Sequence, residues 1–189
     1  MLIPEEKELI SRSLSGDQKA YGVLVDRYKY LVFTLACRML KNREDAEEVA
    51  QDTFVKAYKS LKTFKGDAKF SSWLYRIAYR KCLDRLKKEK RRPGAGSLEV
   101  DGVKDLKASG DVLEHIESEE RSELLKAAID RLSEIDAALV TLYYYEQLTV
   151  REISGILDMS QNVIKVRLFR SRKQLEQLLV NKTEIINNT

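Results

Sequence analysis

Apolar residues recur at intervals of three and four along almost the whole chain, and no stretch alternates apolar and polar residues between hairpin turn signals. Such spacing stacks apolar side chains on one face of a helix and offers a strand no buried face, so the chain is predicted to be all-α. Asp17 precedes a run containing Ala20, Leu24, Tyr28, Leu31, Val32, Leu35 and Met39, a long helix with a buried stripe. Asn42 is predicted to cap the next helix, because its side chain can accept from an exposed backbone N–H. Glu44, Asp45 and Glu47 follow in the first turns, where the helix dipole favours negative charge. Ala46, Val49, Ala50, Phe54, Ala57, Tyr58 and Leu61 are expected to face inward. The pattern lapses from Lys62 to Phe70, where Gly66 and Asp67 suggest a turn. A further helix is expected to start at Trp73, capped by Ser71 or Ser72, and to run to a basic end near Lys90.

From Pro93 to about Gly110 the residues become small, polar and glycine-bearing, which reads as a linker with room for a short helix at Val103 to Leu106. The expected organisation is therefore a helical domain over 1–92, a linker over 93–110 and a second helical domain over 111–189. In the second domain Asp111 and Ser133 are candidate caps for two helices. Thr149 with Glu152 forms a capping box before Ile153 and Ile156. Ser160 caps a last helix through Val163, Ile164, Val166, Leu168, Leu175 and Leu178, ahead of a fraying tail from Asn181.

Composition narrows the function classes. A 43% hydrophobic share supplies a core, and 34% charged residues at a net charge of only +4 describe a folded protein with an uneven charge distribution. Cys37, Cys82 and the single His115 cannot complete a structural zinc site, and two cysteines without an export signal read as reduced residues of a cytoplasmic protein. No unbroken apolar run reaches membrane-spanning length. No phosphate-binding loop, dinucleotide fingerprint or nucleophile elbow is present. The expectation is a non-enzymatic protein with no metal, cofactor or small-molecule substrate.

Three features carry chemistry. The segment from Leu148 to Leu168 has two capped helices joined by a turn at Leu157 to Met159, the sequence form of a helix-turn-helix. The start of its second helix reaches base edges in the major groove, so Ser160, Gln161, Asn162, Lys165, Arg167 and Arg170 are candidates, with Arg151 facing phosphate. The bland alternative is a solvated helical hairpin. The second feature is basic: nine cations against two acids lie between Arg76 and Arg92, directly after the aromatics Phe64, Phe70, Trp73 and Tyr75 and with Tyr79 among them. Rings beside cations suit unstacked bases, although Phe70 and Trp73 equally suit a core. Third, Glu44, Asp45, Glu47, Glu48 and Asp52 form an acidic helix with Gln51, which serves either the helix dipole or a basic protein partner.

These motifs, in this order, resemble the bacterial RNA polymerase sigma factors of the extracytoplasmic-function group. Asp45 to Phe54 resembles the family's polymerase-binding helix, Phe70 to Ala78 its promoter-melting segment, and the C-terminal motif its upstream-element reader. The resemblance implies that Asp45, Glu48, Gln51, Asp52 and Phe54 meet core RNA polymerase. It further implies that Phe64, Lys65, Lys69, Phe70, Ser71, Trp73, Arg76, Arg80, Lys81 and Arg85 meet the minus-ten element and its melted non-template strand. The helix-turn-helix would read the minus-thirty-five element as duplex promoter DNA, and an anti-sigma factor is an implied partner. Arg80, Asn162, Val166 and Ser133 are departures from residues common in that family. The competing reading is an autonomous helix-turn-helix regulator that dimerises or senses a ligand through its first domain.

Overall fold

The computed structural model describes residues 4–91 and 115–187, with side chains over 4–91 and 123–179. The expected linker, its short helix and the Asp111 cap lie outside the described residues. Among the described residues there are helices and turns and no strand. The chain divides into two compact units, the first holding helices α1–α4 and the second most of α5–α8.

In the first unit α1 (Pro4–Leu14), α2 (Gln18–Leu40), α3 (Arg43–Ser60) and α4 (Phe70–Lys90) pack around α2, which touches the other three. Asp17 caps α2 by accepting from the N–H groups of Lys19 and Ala20 at 2.9 and 3.1 Å. Lys41 ends that helix in the left-handed region, and Asn42 immediately caps α3 by accepting from Asp45 N at 3.0 Å. The α2–α3 corner is therefore built from one left-handed residue and one side chain. Leu24, Leu35, Met39, Leu61 and Leu74 are fully buried between the helices.

Three sequence expectations need correction here. The N-terminal helix α1 was not anticipated: it carries only Leu9 and Ile10 as buried apolar residues, beside the buried Glu6 and Ser13. Helix α4 begins at Phe70 rather than Trp73, and neither Ser71 nor Ser72 caps it, since the capping position is Lys69 with no side-chain hydrogen bond. Tyr58 faces outward, 40% exposed, with its ring 4.8 Å from Tyr21. Burial pushes the Tyr21 hydroxyl up to about 12, and it donates to the Phe54 carbonyl at 2.6 Å.

A polar seam joins α3 to α4. Arg85 bonds Asp45, reaches Glu48 at 3.0 Å and lies 3.4 Å from Glu89, while Lys81 meets Asp52 at 2.9 Å. Burial works against the Arg85 charge, but the carboxylates, Asp45 foremost, outweigh it and raise its pKa. Burial, and then the hydrogen bond that a protonated Glu89 donates to Asp45, raise the Glu89 carboxyl above its ordinary range, against the pull of Arg85.

The second unit comprises α5 (His115–Asp130), α6 (Glu134–Val140), a π turn (Thr141–Tyr145), α7 (Val150–Leu157) and α8 (Gln161–Asn187). Ala128, Ile129, Leu132, Ala137, Val140 and Leu175 form a core where α5, α6 and α8 meet. The expected caps are present: Ser133 accepts from Asp136 N, and Thr149 and Glu152 bond reciprocally at 2.8 and 3.2 Å. Ser160 Oγ accepts from Val163 N at 3.4 Å. The tail expected to fray from Asn181 is instead helical to Asn187, a continuation of α8.

Two outcomes test this account. Asn42→Ala removes the cap at the α2–α3 corner and is expected to cost about 1 kcal/mol in urea unfolding; an unchanged midpoint would show that the cap does not hold the corner. Because the folded pKa of Glu89 lies above its unfolded one, its favourable contribution is present when it is protonated and lost as pH rises through the folded value. Glu89→Gln should therefore melt higher than the unsubstituted chain at about pH 7, with the gap closing towards about pH 4.

Candidate nucleic-acid interface

The loop between α3 and α4 starts with a single turn, Leu61–Thr63, closed by Phe64 N donating to the Leu61 carbonyl at 3.0 Å. Gly66 takes a positive φ of 79°, which lets the chain reverse towards α4 without a Cβ in the way. Phe70 is then carried inward, 1% exposed, and becomes the centre of a ring cluster. Tyr28 lies 5.5 Å from it, Phe64 5.4 Å and Trp73 5.5 Å, while Phe64 and Trp73 are themselves 5.4 Å apart. These tilted and edge-on arrangements are the favoured ones for aromatic pairs. Below the cluster Tyr28 donates to Glu6 of α1. Burial first and Glu6 second hold the Tyr28 hydroxyl well above its ordinary range, so it remains a donor.

This geometry divides the candidate residues. Phe70 has no free face for a base in this conformation, and Tyr75 and Tyr79 are likewise buried, so all three belong to the core. Phe64 and Trp73 are half-buried and keep part of each ring at the surface, with Ser71 between the helix start and Trp73 also half-buried. Lys65, Lys69, Arg76 and Arg80 are exposed around them. Lys81 and Arg85 differ from this group, since both are engaged by carboxylates of α3. Their first service is to the fold, because a guanidinium with 18% of its side chain exposed and three carboxylates around it is already neutralised.

On α3, Asp45 is half-buried in that seam, and Glu48, Gln51 and Asp52 are exposed. Phe54 is half-buried. Val55 was missed by sequence reasoning: it is 53% exposed and lies three, four and seven residues from Asp52, Gln51 and Glu48, on the same stripe. The signal was present in that spacing, but a single valine among charged residues carries no chemistry of its own that marks it as a contact. The outward stripe of α3 is thus an apolar side chain framed by acids and an amide.

In the helix-turn-helix, Met159 N bonds the Ser154 carbonyl at 3.4 Å and Ser154 Oγ bonds the Met159 carbonyl at 2.6 Å, closing the turn around Asp158 at a φ of 58°. Aspartate tolerates that left-handed conformation better than most residues. Arg151, Ser160, Gln161, Asn162, Lys165 and Arg170 are exposed. Arg167 is the exception: it bonds Asp136 at 2.7 Å and so ties the second helix of the motif to the start of α6. The structure also exposes three residues that the sequence reading had not singled out as contacts, Val163 at 46%, Val166 at 49% and Phe169 at 58%. Among the described residues no cluster of histidine, cysteine or acidic side chains could hold a metal ion. No helix of the described residues is long and apolar enough to cross a membrane.

Comparison with known proteins matches two stretches of the chain to two regions of one family. Residues 24–92 match the Sigma-70 region 2 model and residues 122–175 the Sigma-70, region 4 model. The chain is 30% identical over 182 residues to RNA polymerase sigma-H factor of Pseudomonas aeruginosa, covering 93% of this chain and 94% of that protein. It is 32% identical over 178 residues to ECF RNA polymerase sigma-E factor of Escherichia coli K12, covering 90% and 92%. Its fold is similar to that of RpoE from Bartonella quintana, solved with the anti-sigma factor NepR, at a TM-score of 0.71 and 19% identity over 85% of this chain and 97% of that one. It is also similar in fold to CnrH, solved with the cytosolic domain of CnrY, at a TM-score of 0.63 and 24% identity over 94% and 98%. On the two matched regions and the near full-length relatives, the chain belongs to the extracytoplasmic-function sigma factors of bacterial RNA polymerase.

Proposed function

We propose that this sigma factor, acting without catalysis of its own in the cytoplasm, docks on core RNA polymerase through the outward stripe of α3. There it captures melted minus-ten bases on Phe64 and Trp73 and reads the minus-thirty-five element as duplex with α8. The observation that carries the reading is the ring cluster, in which a buried Phe70 holds two half-exposed rings beside the exposed cations Lys65, Lys69, Arg76 and Arg80. Stacking on such rings contributes ~1–3 kcal/mol per base, which can offset the unpairing of a short promoter segment. The cations follow the strand's phosphates, and every base has a face to offer a ring.

The domain limits we assign are 1–92 for polymerase binding and minus-ten capture and 111–189 for the upstream reader, with the linker 93–110 between them. Polymerase binding falls to Glu48, Gln51, Asp52 and Val55 as surface contacts, with Asp45 and Phe54 supporting them from the half-buried side. The apolar groove lined by Leu125, Val140, Tyr144, Tyr145, Leu175 and Leu179 is a second surface that we assign to core polymerase. An anti-sigma partner is supported by the fold neighbours solved with such proteins.

Run-off transcription from a genomic promoter library should be stimulated by the chain only when core polymerase is present; no stimulation on any promoter would sink the reading. Tight binding of the purified chain alone to a palindromic duplex would favour an autonomous regulator instead. Val55→Glu should lower holoenzyme formation about tenfold or more, as charge in the middle of a docking face does, and leave folding intact. Phe70→Ala should destabilise the first unit by about 3–5 kcal/mol. Phe64→Ala and Trp73→Ala should leave polymerase affinity unchanged and reduce transcript yield on the order of tenfold, so equal effects on both readouts would contradict the division of roles.

A further inference from the structure

Helix α8 places its residues about 100° apart around the axis. Ile164, Leu168, Ser171 and Leu175 are buried and define its inner face. Opposite them fall Asn162, Val166, Phe169 and Lys173. The ridge that a major groove would receive is therefore apolar at its middle, with Val166 at 49% and Phe169 at 58% exposure. Lys173 sits over the Phe169 ring, 5.9 Å from its centre, and Lys165 and Arg170 flank Val166. No acidic residue occurs between Ser160 and Leu175, and Asp136 nearby is engaged by Arg167.

We propose that Val166 is a specificity-determining residue that recognises a thymine of the upstream element through its C5-methyl group. This rests on the reading of α8 as a duplex reader and adds to it the base class that one side chain selects. The surrounding charge selects a polyanion as occupant of this face over an ordinary protein surface. Within a major groove the thymine methyl is the one apolar group on the base edges, and valine has nothing to donate or accept. Against guanine, cytosine or adenine the same isopropyl group would cover polar atoms without bonding them, so thymine is favoured both by contact and by the penalty on its rivals. Valine is also held to one rotamer in a helix, which aims its methyl groups without further ordering.

The test uses the full chain assembled with core polymerase. A promoter is first selected from a library randomised across the upstream element, and each thymine of that element is then replaced singly by deoxyuridine, which removes only the methyl group. The unsubstituted holoenzyme should lose about 3- to 10-fold in affinity at one such position. With Val166→Ser that penalty should fall below about 1.5-fold while penalties at other thymines persist. Thermal melting of Val166→Ser, and its holoenzyme affinity, verify that the exposed substitution leaves the fold intact. Uracil penalties identical in the two proteins would overturn the proposal, and would leave protein contact as the use of Val166. Selection that returns no upstream preference, or no binding to duplex upstream DNA, would overturn the duplex-reader reading and the proposal together.

Discussion

The burial of Phe70 is the constraint on which the first unit depends. One ring, enclosed by Tyr28 of α2, Phe64 of the loop and Trp73 one turn along α4, fixes where the loop ends and where α4 starts. A ring of this size contributes on the order of 2–3 kcal/mol when removed from water. That is enough to start a helix at a position without a capping side chain. The chain of contacts continues below: Tyr28 donates to Glu6, so α1 supports the cluster from beneath. What is left at the surface, the exposed parts of Phe64 and Trp73, is held by a packed core rather than by the loop itself. Rings whose rotamers are already fixed lose little further freedom when a base stacks on them.

Charge is divided by the same logic. Two of the arginines that the sequence offers as DNA contacts, Arg85 and Arg167, serve the fold: one gathers Asp45, Glu48 and Glu89, and the other holds Asp136. In the first unit the acidic α3 and the basic α4 neutralise each other along their shared seam, and the remaining surface separates. Glu48 and Asp52 pair with Arg85 and Lys81 at the exposed edge of that seam, Gln51 and Val55 stay outward beside them, and Arg76 and Arg80 stay exposed on α4. A surface ion pair alone contributes little, but a partly buried arginine with several carboxylates orders their side chains. This ordering keeps the stripe we assign to polymerase and the face we assign to promoter DNA on neighbouring helices.

Local signals in the sequence were legible, and signals that depend on distant residues were not. Asn42, Ser133, Thr149 and Ser160 all cap as their spacing predicts, because a cap involves residues two or three apart. The start of α4 was misplaced because Phe70 is pinned by Tyr28, 42 positions earlier, and no local residue announces it. The short α1 escaped notice because much of what it buries is polar. The roles of Arg85 and Arg167 depend on partners 40 and 31 residues away. The aromatic run after the loop showed that rings and cations are concentrated there, yet only packing separates the half-exposed Phe64 and Trp73 from the buried Phe70, Tyr75 and Tyr79.

The central claim is that this sigma factor holds melted promoter bases on two particular rings while a third stays in the core. It is tested most directly by photo-cross-linking in a complex of core polymerase, the full chain and promoter DNA carrying 5-iodouracil at single positions of the non-template minus-ten strand. Peptide mapping should locate the adducts on Trp73 or Phe64, only when polymerase is present. Adducts on Phe70, adducts confined to the second domain, or no cross-link at any position of that strand would contradict the account.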